Sequence, residues 1–87
     1  MFQISVYDTE TASSVFKKEV SKVVLPGKEG QLSIWDFHQP MVASLEEGLV
    51  SIDKEKFIEI KEGIAKIQSN ELVLMVVLAK KKEDENK

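Results

Sequence analysis

The sequence predicts an all-β protein, an antiparallel two-sheet β-sandwich of about eight to ten short strands. Three observations support this fold class. Short apolar stretches alternate with polar residues at a period of two, turn residues separate these stretches at regular intervals, and no long stretch favours a helix. The chain has 87 residues, of which 43% are hydrophobic. This length allows one domain with one core and leaves no room for a second.

The first half of the chain contains four predicted strands between turn residues. Residues 2–7 alternate apolar and polar side chains, which is the period of a strand with one buried face. A turn-rich segment, residues 8–14, follows this strand. Pro26 and Gly27 suit the two central positions of a type II turn. The predicted strands are residues 2–7, 15–16, 20–25 and 30–34.

The second half contains five predicted strands. Residues 53–56 form a predicted hairpin connection of four residues, which is a common length. Ser69 and Asn70 are a second turn signal. The predicted strands are residues 41–45, 49–52, 57–60, 64–67 and 72–78.

One segment also has the spacing of a helix. Phe57, Ile60, Ile64 and Ile67 are three, four and three residues apart. Gly63 inside this segment would cost a helix about 1 kcal/mol relative to alanine, and the isoleucines are β-branched and favour strands. The sequence therefore predicts two strands that are broken at Gly63.

The end of the chain differs in composition from the rest. Residues 80–87 contain no apolar side chain and are nearly all charged, so we expect a disordered, flexible tail. The predicted domains are a β-sandwich over residues 1–79 and a tail over residues 80–87. The longest apolar run, residues 72–79, is too short to cross about 30 Å of hydrocarbon.

Composition argues against most enzyme classes. The net charge is −3 and all 12 basic residues are lysine, which disfavours binding to nucleic-acid phosphates. The chain has no cysteine and only one histidine. Thiolate nucleophiles, zinc–sulfur sites and paired histidine ligands are therefore excluded. We expect no catalytic residue, no metal site and no cofactor.

Two short motifs could carry chemistry, and each has a simpler interpretation. Asp36 and His38 have the spacing of two metal ligands, but no second histidine or cysteine completes a site of three or four ligands. We therefore expect His38 to be structural or to contact a partner. Glu46 and Glu47 could act as paired carboxylates. Adjacent strand residues point to opposite faces, so a solvated turn is the better interpretation of this pair.

The loop between Gly27 and Gly30 contains a lysine, as phosphate-binding loops do. The P-loop pattern ends in Gly-Lys-Ser/Thr before a helix, whereas Lys28 is followed by Glu29 and a predicted strand. The chain also has no arginine. We expect no nucleotide binding, and the loop is either a plain hairpin loop or an exposed protein contact.

Lys54 supports an alternative function. In lipoyl carrier domains a lysine at a hairpin tip, usually after an aspartate, bears the cofactor, and Asp53-Lys54 resembles that arrangement. Those carriers usually have Ala or Met after the lysine, where this chain has Glu55. The simpler interpretation is a charged, solvated turn.

A collinear set of motifs resembles the epsilon subunit of rotary F-type ATP synthases, which is called delta in mitochondria. Residues 24–34 resemble that family's Gly-x-x-Gly-x-Leu-Gly-Ile run, and His38-Gln39-Pro40 resembles its His-Ala-Pro. Residues 48–52, 62–67 and 70–77 resemble its later strands. The resemblance covers essentially the whole chain in order.

The sequence departs from the family pattern in several places. Ser33 replaces a usual glycine, Gln39 replaces a usual alanine, and residues 35–37 replace a smaller loop. Family members usually continue into a pair of C-terminal helices, whereas this sequence ends at Lys87. We expect this short form to be natural.

The resemblance implies a non-catalytic rotor subunit of the central stalk. Such a subunit links the gamma subunit to the membrane c-ring and couples ion transport, such as proton transport, to ATP synthesis. It lies peripherally at the cytoplasmic face of an energy-transducing membrane, and we expect a monomer in isolation. By the same resemblance, Gly27, Lys28, Glu29, Gly30 and Gln31 contact the c-ring, and His38 and Ala43 face gamma.

The last predicted strand fits this function. Residues 72–78 are apolar on both faces of the strand. One face can fill the sandwich interior, and the other needs a cover. That cover is either the gamma subunit or the chain's own tail or loops.

Overall fold

The computed structural model describes residues 1–35 and 39–79. The predicted tail and His38 therefore lie outside the described residues. The described part forms eight strands, and it contains no helix that could span a membrane. The strands are β1 (Phe2–Asp8), β2 (Ser13–Val20), β3 (Lys22–Gly27), β4 (Gly30–Trp35), β5 (Met41–Leu45), β6 (Gly48–Ile52), β7 (Lys56–Gln68) and β8 (Glu71–Leu78).

The strands form one continuous hydrogen-bonded network. Their order is β2-β1-β8-β7-β5-β3-β4, and β6 pairs with both β3 and β7. Within the described chain β1 and β8 are the one parallel pair, and the other pairs are antiparallel. Side chains from every strand meet in a single core, so the network folds over on itself into two packed layers. The predicted all-β sandwich is confirmed.

The core consists of the inward-facing residues of each strand, which alternate with residues facing water. In β8, for example, Leu72, Leu74 and Val76 are fully buried, whereas Met75 between them is exposed. The alternation that predicted the strands therefore also predicts their inner faces. The buried apolar residues are Phe2, Ile4, Val6, Val20, Val23, Leu25, Ile34, Leu45, Val50, Ile52, Ile60, Ala65, Ile67, Leu72, Leu74 and Val76.

Strand β7 is a single strand of 13 residues, so the predicted break at Gly63 is wrong. It pairs with β6 through its first part, with β5 through its last part, and with β8 along the opposite edge. The pairing with β8 shifts register between Ile60 and Glu62, which leaves Lys61 as the extra residue of a β-bulge. The chain bends at this bulge without ending the strand.

Gly63 allows β7 and β8 to approach closely. A Cβ atom at this position would lie 2.8 Å from the carbonyl oxygen of Met75 and 2.8 Å from a side-chain carbon of Val76. Those distances are shorter than any normal contact, so a side chain would push the two strands apart. The glycine that resembled a strand break is instead a packing requirement inside a strand.

The break between the second and third strands lies at Ser21, not before Val20 as predicted. Asp53 causes this break. One oxygen of its carboxylate accepts hydrogen bonds from the backbone N–H groups of Ser21 at 2.8 Å and Lys22 at 2.9 Å. The backbone N–H of Asp53 in turn donates to the Lys22 carbonyl at 2.8 Å. The β6–β7 connection, which has three residues rather than the predicted four, is thus fastened to the β2–β3 junction.

The type II turn predicted at Pro26 and Gly27 is also wrong. β3 continues through both residues, and the turn consists of Lys28 and Glu29, closed by the pair Gly27 and Gly30. Pro26 fits within the strand because its nitrogen faces away from β4. The ladder between β3 and β4 therefore loses no hydrogen bond. Its carbonyl accepts a hydrogen bond of 2.9 Å from the backbone N–H of Glu46.

We predict that Gly63→Val lowers the free energy of unfolding by about 1–3 kcal/mol, because the new side chain overpacks the contact between β7 and β8. The measurement is urea unfolding followed by circular dichroism. Glu62→Val is the matched control, because Glu62 is the exposed neighbour in the same strand, and its effect should stay within about 0.5 kcal/mol. Equal unfolding midpoints for the two variants would contradict the packing argument.

Candidate functional site

The β3–β4 hairpin ends in the loop that was predicted to contact the c-ring. Lys28, Glu29, Gly30 and Gln31 are exposed. Gly30 has a φ of +127°, and a Cβ on Gly27 would lie 2.6 Å from the Gly30 carbonyl oxygen. The shape of this loop therefore depends on both glycines.

The loop is tied to the neighbouring strand β5. The backbone N–H of Lys28 donates a hydrogen bond of 3.0 Å to the carbonyl of Ser44. Leu45, the last residue of β5, pairs with Gly27. These contacts hold the loop beside β5 and give the hairpin tip a fixed position.

A cavity of about 550 Å³ lies between the loop and β5. Ala43 is half-buried on the inner side of β5 and lines this cavity. The structure thus brings Ala43 together with the loop, although the sequence assigned them to different partners. The lining residues are Gly27, Lys28, Glu29, Gly30, Gln31, Leu32, Met41, Val42, Ala43 and Ser44.

The chemistry of the cavity suits binding. Lys28 and Glu29 bring both charge signs to its lining, Gln31 and Ser44 are polar, and Leu32, Met41, Val42 and Ala43 are apolar. Among residues 1–35 and 39–79, no cluster of three or more potential metal ligands occurs.

A second feature is an apolar stripe on the outer side of the sheet. Ile64 pairs with Met75, and Met75 pairs with Tyr7, so these side chains form a row across β7, β8 and β1. They are 45%, 40% and 38% exposed. We define the outer stripe as Tyr7, Val42, Ile64, Val73, Met75 and Val77.

The sequence predicted only part of the outer stripe. It identified the three stripe residues of β8, because residues 72–78 are apolar on both faces. Tyr7, Val42 and Ile64 were missed as members of a shared surface. Which strands lie beside β7 and β8 follows from how the strands pair in the fold. The sequence of one strand does not indicate which other strand will lie beside it.

Another apolar surface lies on the outer side of the other layer and was not predicted. Trp35, Leu49 and Phe57 are each more than half exposed. The Nζ atom of Lys22 lies 4.5 Å from the centre of the Trp35 ring, a cation–π contact. Phe57 lies opposite Ser51. This surface is separate from the outer stripe.

Lys54, the lysine of the alternative hypothesis, is exposed at the tip between β6 and β7. Its φ is +60° and that of Asp53 is +53°. The carboxylate of Asp53 is engaged by the β2–β3 junction. The aspartate beside the lysine therefore has a structural explanation that needs no cofactor.

Comparison with known families gives one match that spans the chain. The model of the family described as the ATP synthase delta/epsilon chain, β-sandwich domain, matches residues 3–82. This match includes all eight strands and the Lys54 turn. It favours the epsilon resemblance over the carrier alternative.

Curated relatives support the same family. The chain is 33% identical over 79 residues to the ATP synthase epsilon chain of Polynucleobacter necessarius. The aligned region covers 86% of this chain and 57% of the relative. The chain is 37% identical over 65 residues to the epsilon chain of Campylobacter curvus, covering 70% and 50% respectively. The chain thus spans about half the length of the curated relatives it matches.

Solved structures share the fold. A chain in the central stalk and c-ring structure of the Tetrahymena thermophila mitochondrial ATP synthase superposes with a TM-score of 0.72 at 13% identity, covering 86% of this chain and 62% of that one. A chain of the Euglena gracilis mitochondrial ATP synthase superposes with a TM-score of 0.69 at 20% identity, covering 88% and 52%.

We predict that Gly30→Val destabilises the protein by about 1–3 kcal/mol, because a β-branched residue is strained at a φ of +127°. Thermal unfolding monitored by circular dichroism measures the effect. Gln31→Val is the control, since Gln31 is exposed in the same strand without a positive φ, and it should change stability by less than about 0.5 kcal/mol. Equal melting temperatures for both variants would show that this loop tolerates side chains.

Proposed function

The chain belongs to the ATP synthase delta/epsilon family through the β-sandwich domain, and we propose that it is the non-catalytic central-stalk subunit that links the gamma subunit to the c-ring. In this role it transmits torque between the two partners. It thereby couples ion transport through the membrane to ATP synthesis. The subunit is peripheral, at the cytoplasmic face of an energy-transducing membrane, and it is a monomer before assembly.

The observation that carries this proposal is the outer stripe. Soluble monomers rarely expose a contiguous apolar surface without a function, and such surfaces mark contacts with other proteins. Its apolar row crosses β7, β8 and β1 through Ile64, Met75 and Tyr7, and Val42 of β5 lies on the same face, diagonal to Ile64. We assign the stripe to the gamma subunit, and we propose that His38 and Ala43 also contact gamma, Ala43 from the cavity on the inner side of β5.

Mechanical coupling requires a rigid body between the two contacts. The long strand β7 pairs with β5, β6 and β8, and one core fills the space between the layers. Packed interiors and hydrogen-bonded ladders resist shear because they have few voids and no alternative packing. A force applied at the outer stripe would therefore reach the hairpin tip.

The hairpin tip is the proposed contact with the c-ring. Lys28 and Glu29 present both charge signs on an exposed turn, and Gly27, Gly30 and Gln31 complete the loop. Opposite charges on a small rigid tip can pair with polar loops of the ring subunits and fix the register of the contact.

We predict that Ile64→Lys combined with Met75→Lys weakens binding to the gamma subunit by about 10- to 100-fold, because two charges would be buried in an apolar contact. Calorimetric titration of the isolated chain with purified gamma subunit measures the affinity. Both positions face water in the free chain, so the variant should remain folded by circular dichroism.

The matched control for this surface is Leu49→Lys combined with Phe57→Lys. These residues are equally apolar and more exposed, at 54% and 58%, and they lie on the outer side of the other layer. The control should bind gamma with unchanged affinity. If the control loses affinity and the stripe variant does not, gamma covers the other surface and our assignment is wrong.

We also predict that exchanging the charges of the tip, Lys28→Glu with Glu29→Lys, reduces ATP-driven ion pumping in reconstituted vesicles several-fold, because like charges then meet across the ring contact. Removing one charge should have a mild effect, since an exposed ion pair contributes only about 0–1 kcal/mol.

The second hairpin tip supplies the control for the charge exchange. Lys54 and Glu55 repeat the Lys-Glu pair on the β6–β7 connection, and exchanging their charges should leave pumping unchanged. Normal pumping by the Lys28/Glu29 variant would show that this loop does not contact the ring.

A further inference from the structure

Strand β5 has one edge that is paired only at its last residue. Along its other edge, Met41–Leu45 pair with β7. On the free side only Leu45 has a strand partner, Gly27 of β3. Because β3 ends at Gly27, the earlier residues of β5 run past the hairpin tip and line the cavity described above.

Two hydrogen bonds show which backbone groups of β5 face the cavity. The carbonyl of Ser44 accepts from the Lys28 N–H at 3.0 Å, and the N–H of Glu46 donates to the Pro26 carbonyl at 2.9 Å. Both groups therefore point away from β7. Backbone direction alternates at a period of two along a strand, so the N–H and C=O of Val42 point the same way.

Val42 thus presents one donor and one acceptor to the cavity side. The described chain contains no strand there to pair with them. Val42 is 67% exposed, so water reaches this edge. An unpaired edge of this kind is a template for a strand from another polypeptide.

The residues around this edge favour such pairing. The edge strand β2 carries Lys17, Lys18 and Glu19, and charges of this kind keep foreign strands away. Residues 41–44 carry no charge. Leu32, Met41 and Ala43 line the cavity below the edge, so an apolar side chain of an added strand would find an apolar site.

We propose that β5 accepts an extended segment of the gamma subunit as an added strand, paired with the backbone of Val42 and with one apolar side chain in the cavity beside Ala43. This inference rests on the proposed function. The gamma subunit is the occupant because Val42 lies on the same outer face of the sheet as the row of Ile64 and Met75. It is diagonal to Ile64, since Val42 pairs with Lys66 and Ile64 pairs with Ser44. A partner that covers the stripe therefore lies beside the edge of β5.

Amide hydrogen exchange tests the pairing directly. In the free chain the Val42 amide should exchange quickly, whereas Met41 and Ala43, which face β7, should be protected. On addition of purified gamma subunit, the Val42 amide should slow by at least about tenfold, because it becomes part of a ladder. The amides of Met41 and Ala43 serve as internal controls, since their exchange depends on the fold alone.

Substitution by proline provides a second test. Val42→Pro removes only the N–H that points to the cavity, and proline is tolerated on a strand edge that faces solvent. We expect the variant to fold, as circular dichroism will show, and to bind gamma about tenfold more weakly. Val42→Thr keeps the N–H and the β-branched shape, so its affinity should stay within about twofold.

The outcomes separate this inference from the proposed function. If gamma binds while the Val42 amide stays unprotected and Val42→Pro binds normally, strand addition is wrong and the stalk function stands. If gamma does not bind at all, both are wrong. Protection that appears at Gln31 and Ser33 would put the added strand on β4, and protection of Val42 in the free chain would mean self-pairing; either result overturns the proposal. If Val42→Pro does not fold, hydrogen exchange of the wild-type chain decides.

Discussion

The close contact of β7 with β8 at Gly63 is the constraint on which the architecture depends. β7 is the longest strand of the described chain, with 13 residues, and it pairs with three others, as β3 also does. It can extend through both parts of the sandwich because the bulge at Lys61 bends it and because no Cβ separates it from the Met75 carbonyl. If β7 ended at this glycine, β3 would be the one strand of the described chain that pairs with both β5 and β6, and it reaches β5 through the single pair Gly27 and Leu45. The path from the stripe to the tip would then depend on that one pair.

Local patterns predicted most of the strands and the loop, whereas contacts between distant residues decided the remaining features. Alternation along residues 2–7 and the apolar run of residues 72–78 are patterns of neighbouring side chains alone. The break at Ser21 depends on a carboxylate 32 residues away, at Asp53. Whether β7 continues through Gly63 depends on the close contact with Met75 and Val76. A glycine in a sequence does not show which residues will pack against it. The composition of a single strand therefore predicts its inner face but not its ends.

The same distinction applies to the candidate site. Residues 27–31 were assigned to a partner through the family resemblance, and local sequence showed only a charged turn between Gly27 and Gly30. The outer stripe and the free edge of β5 are properties of strand order and register, and a shift of one residue would exchange inner and outer faces. The structure also adds a relation absent from the sequence: Ala43 and the hairpin tip share one cavity. In our proposal, the surfaces for gamma and for the c-ring therefore meet at one end of the sandwich.

The parallel pairing of β1 with β8 has a consequence for the synthesis of this protein. Residues 3–8 pair with residues 71–76, so β1 cannot complete its pairing on the ribosome until β8 has been made. Until then β1 has only the β1–β2 hairpin, and an isolated two-stranded hairpin is marginally stable in water. Pairing across most of the chain also slows folding, because a long loop must close before these contacts form. The domain should therefore fold only once β8 has been made, and its exposed strands would meanwhile be substrates for chaperones.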